Sequence, residues 1–253
     1  MKRYFIEFSF KGTRYHGWQL QPNAVTVQSV INDSLLKLTG EKIETTGAGR
    51  TDSGVHAKSF TAHFDSDHGL FVRHADFIYK INCILPEDIA VQKIFEVKPG
   101  SHARYSATSR IYEYSISTVK DPFMLDFSWT FTKPLDMDAM NRMAEKLKEI
   151  HDFSSFSKHH SGTRNNICHI SHAYWHRQNH LLVFRIQADR FLRNMVRALV
   201  GTMIAAGLRK INQVDFRDIV ESKNRNNAGT SVPAHGLTLV NVLYPEEIKL
   251  LPG

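Results

Sequence analysis

The opening residues, MKRYFIEFSF, put Tyr4, Ile6, Phe8 and Phe10 on one face of an extended chain and Phe5, Glu7 and Ser9 on the other. A period of two defines a strand, and the elements that follow it restrict the fold sharply. Thr26 is a good N-cap for a helix with the apolar face Val27, Val30, Ile31, Leu35 and Leu38, and Gly40 stands just past its end. A short strand at 43–46 comes next, then one in which Phe60, Ala62 and Phe64 alternate. A helix at 74–84 stops before Pro86, and a strand runs from Ile89 to Val97. The order is β-α-β-β-α-β, the ferredoxin-like unit.

The second half repeats that order without obvious sequence identity. Residues 110–119 alternate as a strand, and 138–150 form an amphipathic helix. Residues 167–176 and 181–188 make a hairpin about Gln178-Asn179. Two helices, 192–206 and 213–222, precede a last strand at 237–243. The chain therefore reads as α+β, two tandem ferredoxin-like units with their sheets side by side. The first spans 1–105 and the second 106–253, with 98–108 joining them. The stretch HHSGTRNN at 159–166 reads as a mobile basic loop.

Bulk properties set outer limits. At 253 residues, 42% hydrophobic and 23% charged, the chain has the composition of a globular protein with a real core. Its 32 Lys and Arg against 25 Asp and Glu give a net charge of +7 and a pI near 9.4, which points toward a polyanion such as nucleic acid. Cys83 and Cys168, the only cysteines, argue against a disulfide framework or a cysteine zinc site and suit a reducing cytosol. No stretch has the roughly 18 apolar residues of a membrane helix. A cytoplasmic protein is expected.

Three places combine charge with a restricted backbone. In GAGRTDSGVHA, 47–57, Gly47, Gly49 and Gly54 permit close approach or positive φ, and Arg50 stands near Asp52. An aspartate in such a turn commonly bonds only its own backbone. As a metal site Asp52 and His56 offer too few ligands. A phosphate cradle lacks the Walker ending. In ARYSATSRIYEYSI, 103–116, Arg104 and Arg110 bracket the entry to a strand that carries Tyr112 and Tyr114 on one face. These tyrosines suit either a half-buried core or stacking on a base between phosphate-binding arginines. In DRFLRNMVRALVGTMIAAG, 189–207, Leu192, Met195, Val196, Leu199, Val200 and Met203 form an apolar stripe bordered by Arg193 and Arg197. A border arginine snorkels to solvent or reaches inward to a buried carboxylate, for which Asp52 is a candidate. The 14 histidines, including His159, His160, His169 and His172, lack ligand-like spacing.

Together GAGRTDSGVHA, RYSATSRIYEY, FLRNMVRALVG and PAHGLTLVNVLY closely resemble, in order, the motifs of the tRNA pseudouridine synthase A family. YHGWQLQPN…TVQ and NCILPEDIAV match as well, so the resemblance covers nearly the whole chain. One small departure is Ser53, where the family commonly has alanine. The resemblance implies the pseudouridine synthase fold, with the two sheets joined into one extended mixed or antiparallel sheet around a central cleft. It also implies a cofactor-free, metal-free isomerisation of uridine in tRNA, typically at positions 38, 39 and/or 40 of the anticodon stem-loop, by a homodimer.

By motif, Asp52 is the catalytic aspartate, Arg197 its ion-pair partner with Arg50 as a second, and Tyr112 the tyrosine that stacks on the target base. Leu237 packs against that base. Tyr15, Gln19, Lys58, Arg104, Arg110, Arg164 and Arg193, with Arg14, are candidates for binding the RNA. The rival readings are a tRNA-binding or folding protein without essential turnover, a family member acting at other tRNA uridines, and a metal-dependent hydrolase built on Asp52 and His56.

Overall fold

The computed structural model describes residues 1–72, 74–158 and 165–250. Its chain divides into two compact units, Met1–Thr108 with Leu239–Gly253, and Ser109–Thr238. Both are α+β, as the periodicity predicts.

The first unit is built on β1 (Lys2–Phe10), flanked by α1 (Val27–Thr39), β2 (Thr46–Gly47), β3 (His56–Ser66), α2 (His74–Ile84) and β4 (Ile89–Val97). β1 lies antiparallel between β3 and β4, and β2 pairs with β3, so the order β4-β1-β3-β2 is that of a ferredoxin-like sheet. The predicted strand at 43–46 shrinks to Thr46–Gly47. In register, Tyr4 faces Phe64, Ile6 faces Ala62 and Phe8 faces Phe60.

α1 begins in a full capping box. Thr26 Oγ1 accepts from the Ser29 N–H and Ser29 Oγ from the Thr26 N–H, each at 3.2 Å. It stops at Gly40 in the left-handed conformation. Val27, Ile31 and Leu35 are buried, whereas Val30 and Leu38 are only half-buried. One end of the core is an aromatic cluster. Phe60 lies 4.5 Å from Trp18, 5.4 Å from Phe8 and 5.7 Å from Phe10, measured between ring centroids.

The second unit holds β5 (Ser109–Ser117), β6 (Trp129–Thr130), α3 (Met137–Lys146), β7 (Ile170–Gln178), β8 (Leu181–Ala188), α4 (Met195–Gly207) and α5 (Gln213–Glu221). β8 runs antiparallel between β5 and β7, and β6 adds a short parallel pair to β5. The hairpin turns at Asn179-His180, with Asn179 at φ 55°. β6, two residues long, has no periodicity to reveal it. α4 starts three residues later than its apolar stripe suggests, because Asn194 takes φ 67° and ends the preceding loop. Arg193 therefore lies before the helix and not on its border. The last strand, β9 (Leu237–Leu243), begins in the second unit, and its residues from Leu239 onward belong to the first, where the strand pairs with β3.

No helix among the described residues is long and apolar enough to cross a membrane.

Phe60 is fully buried among three rings. Phe60→Ala is expected to lower unfolding free energy by about 3–5 kcal/mol, because the cavity adds to the lost transfer energy. A chemical-denaturation midpoint unchanged from wild type would contradict this.

Candidate functional site

In the first unit the Asp52 turn is held by backbone. The Val55 N–H donates to the Asp52 carbonyl at 3.2 Å, and Gly54 takes φ 81°, the value a type II turn requires at its third residue. The loop before α1 packs directly against it. Gly17, at φ 82°, passes so close that a Cβ there would meet the Thr51 carbonyl oxygen at 2.3 Å. The Tyr15 carbonyl accepts from the Gly54 N–H at 3.3 Å and from the Ser53 hydroxyl at 3.2 Å. The loop is in turn tied to α1, since Val27 and Gln28 donate their N–H groups to the Gly17 and Trp18 carbonyls. Asp52 thus sits half-exposed at the first position of a rigid turn.

His56 has a structural part in this. It is buried, and its Nδ1 accepts from the Gly12 N–H at 2.9 Å. That uses a lone pair a metal would need. Among the described residues, no group of three or more His, Cys, Asp or Glu side chains is arranged to hold a metal ion.

Tyr15, expected to meet RNA, is only 4% exposed. Its hydroxyl donates to Asp88 Oδ1 at 2.5 Å, while Arg14 Nε donates to Asp88 Oδ2 at 2.7 Å. Burial by itself raises the Asp88 pKa, but the hydrogen bonds from Arg14 and Tyr15 and the Arg14 charge outweigh it and hold the carboxyl below its ordinary value. Burial, followed by the bond to Asp88, pushes the Tyr15 phenol up. Asp88 carries no local sequence signal as a site residue, since its partners lie more than 70 positions away.

In the second unit, the motif residues gather around the segment that leads into β9. Arg197 Nε donates to the Val232 carbonyl at 2.7 Å, and the Val232 N–H donates to the Arg197 carbonyl at 3.3 Å. Tyr114, fully buried, donates its hydroxyl to the Pro233 carbonyl at 2.9 Å. Burial raises the Tyr114 pKa, and the charge of Arg197 offsets part of the rise. Tyr112 is half-buried and packs edge-on against Phe191, 5.1 Å between centroids at 86°. Leu237 is buried at the start of β9. Arg110 Nη1 donates to the Asp189 carbonyl at 2.6 Å.

Of the remaining candidates, Gln19, Arg50, Lys58, Arg104 and Arg193 are exposed. Arg164, His159 and His160 lie outside the described residues.

Residues 143–245 match the family model described as tRNA pseudouridine synthase. The chain is 48% identical over 249 residues to the tRNA pseudouridine synthase A of Bacteroides fragilis, covering 98% of each chain. It is 47% identical over 251 residues to that of Parabacteroides distasonis, again covering 98% of each. Against that of Thermoanaerobacter pseudethanolicus it is 37% identical over 246 residues, covering 96% of this chain and all of the relative. The chain therefore belongs to the tRNA pseudouridine synthase A family, enzymes that isomerise uridine in tRNA.

The Tyr15–Asp88 bond is open to test. Tyr15→Phe removes one of the bonds that stabilise ionised Asp88, so the Asp88 carboxyl should titrate at higher pH than in wild type. With a depressed folded pKa, the contribution of Asp88 to stability is present above the unfolded value of about 3.9 and is lost as pH falls through the folded value. The mutant should therefore have less of this stability to lose on acidification. Carboxyl NMR titration and thermal melts from pH 7 downward check both points, and an unmoved Asp88 titration would contradict them.

Proposed function

We propose that this enzyme converts uridine to pseudouridine in the anticodon stem-loop of tRNA, at positions 38, 39 and/or 40, and that Asp52 carries the chemistry. The observation behind the Asp52 assignment is the construction of its turn. Closure and anchoring run through the backbone of 52–55, Gly54 and the Ser53 hydroxyl, and Asp52 is a half-exposed residue at the head of that fixed turn.

The reaction asks for little more than one carboxylate. The N1–C1′ bond breaks, the base turns, a C5–C1′ bond forms, the C5 proton leaves and N1 gains a proton. Nothing is hydrolysed, so the second acid of a glycoside hydrolase has no task. Asp52 either attacks C1′ or removes the C2′ proton, and both roles need it ionised. A guanidinium favours that state where burial opposes it, and we assign this role to Arg197, with Arg50 as a second cation. Tyr112 stacks on the target base and assists removal of the C5 proton, and Leu237 packs against the base.

The target must first leave the helical stack, at a cost of a few kcal/mol. Phosphate contacts from the basic surface, with Lys58, Arg104, Arg110 and Arg193 among the candidates, fix the RNA without reading its sequence. The working form in this reading is a cytoplasmic homodimer.

Tritium release from tRNA labelled at uridine C5 tests the assignment. Asp52→Asn is expected to slow release by at least about a hundredfold while the melting temperature stays at the wild-type value. Undiminished release would remove Asp52 from the chemistry. Arg197→Lys is expected to reduce turnover far more than tRNA affinity. The reverse pattern, weak binding with normal turnover, would make Arg197 a phosphate contact.

A further inference from the structure

Residues 101–106 of the first unit display an exposed arginine and tyrosine on a segment fixed from several sides. Ala103 is fully buried, with its N–H donating to His63 Nδ1 at 3.1 Å and its carbonyl accepting from the Tyr244 hydroxyl at 2.6 Å. His102 Nδ1 accepts from the Arg104 N–H at 3.0 Å and the Tyr105 N–H at 3.4 Å. Ser106 closes the loop. Its N–H donates to the His102 carbonyl and its hydroxyl accepts from the His102 N–H, both at 2.9 Å. Upstream, Arg3 donates to the Ser101 carbonyl at 2.9 Å and grips both oxygens of Asp65 at 2.7 Å.

The two imidazoles must be neutral to accept these bonds. Burial, then the neighbouring His102 and Arg3, lowers the His63 pKa to about 4. Burial, then Arg3 and Arg104, lowers that of His102. At neutral pH both rings keep their Nδ1 lone pairs for the backbone of this loop.

All this rigidity ends in a side chain that the fold does not bury. Tyr105 has the His102 ring 4.4 Å from its own, between centroids, and the Arg104 guanidinium 5.6 Å above it, yet 76% of the residue is exposed. Tyr79 and Phe123 are comparably exposed, but only Tyr105 joins an arginine neighbour to so firmly bonded a backbone.

We propose that Tyr105 is a stacking platform for a nucleobase of the tRNA other than the target uridine, with Arg104 beside it on the phosphate backbone. An aromatic ring on a fixed backbone loses little freedom on binding, and every base offers a π face to it. The net charge of +7 and the adjacent cation favour RNA over a protein as the occupant. The proposal rests on action at tRNA but not on which uridine is modified or how.

Equilibrium binding of unmodified tRNA, measured separately from turnover, tests it. Tyr105→Ala should weaken binding roughly tenfold to a hundredfold without altering the melting temperature. Tyr105→Phe and Tyr105→Trp should restore binding, because stacking needs the ring and not the hydroxyl. The salt dependence separates the pair. Tyr105→Ala should keep the wild-type slope of log affinity against log salt, while Arg104→Ala should reduce it by about one. Wild-type binding by Tyr105→Ala, loss of turnover without loss of affinity, or no rescue by Phe and Trp would each overturn the platform. A wild type that binds tRNA without turnover would instead count against the enzymatic reading alone.

Discussion

The Tyr15 carbonyl, accepting at once from the Gly54 N–H and the Ser53 hydroxyl, is the contact on which the Asp52 turn depends. A two-pronged acceptor of this kind joins two segments outside the helices and strands, whose backbone groups must find their partners one by one. Every further restraint on the loop is therefore a restraint on Asp52. The Tyr15 hydroxyl is fixed to Asp88 at the edge of β4, and the Gly17 and Trp18 carbonyls are fixed to the first turn of α1. The α1 N-terminus supplies those amides because a helix leaves its first N–H groups without intrahelical partners. Helix, loop and turn thus satisfy one another's backbone, and the position of one carboxylate follows from sheet and helix rather than from the turn alone.

The second unit solves the same problem differently. Val232 and Pro233 lie in an irregular stretch just before a 3-10 turn at Ala234–Gly236, and the side chains of Arg197 and Tyr114 supply donors to their carbonyls. An arginine can hold a carbonyl through Nε and still direct its terminal nitrogens elsewhere, because the guanidinium has five donors in a fixed plane. A lysine in that place could not serve two directions with the same geometry. A structural bond and a chemical role are therefore compatible in one Arg197 side chain.

Much of this was legible in the sequence, and the reason is local. Alternation in β1, β3 and β5, the Thr26 cap and Gly40 stop of α1, and the hairpin between β7 and β8 are all set by residues a few positions apart. What escaped is non-local or too short. A two-residue strand such as β6 has no period to detect. The start of α4 depends on the left-handed Asn194, which lies within an apolar stripe that continues on either side of it. The grouping of β9 from Leu239 onward with the first unit goes with its pairing to β3, a non-local contact that no local pattern specifies.

The candidate site shows the same limit in sharper form. A family motif preserves both the residues that do chemistry and those that hold them, and nothing in the string distinguishes the two. Tyr112 and Tyr114 lie two positions apart on one strand, yet the first packs half-buried against Phe191 and the second is fully buried with its hydroxyl on a backbone carbonyl. Tyr15 and Arg14 carry the same ambiguity, and both bond Asp88, the first from a buried ring and the second from an exposed side chain. Roles separate only when burial and hydrogen-bond partners are known, because a buried phenol must find an acceptor whereas a ring that meets a base must stay open. By that criterion His63 and His102 serve structure, and Tyr105, which their bonds keep in place, is left facing solvent.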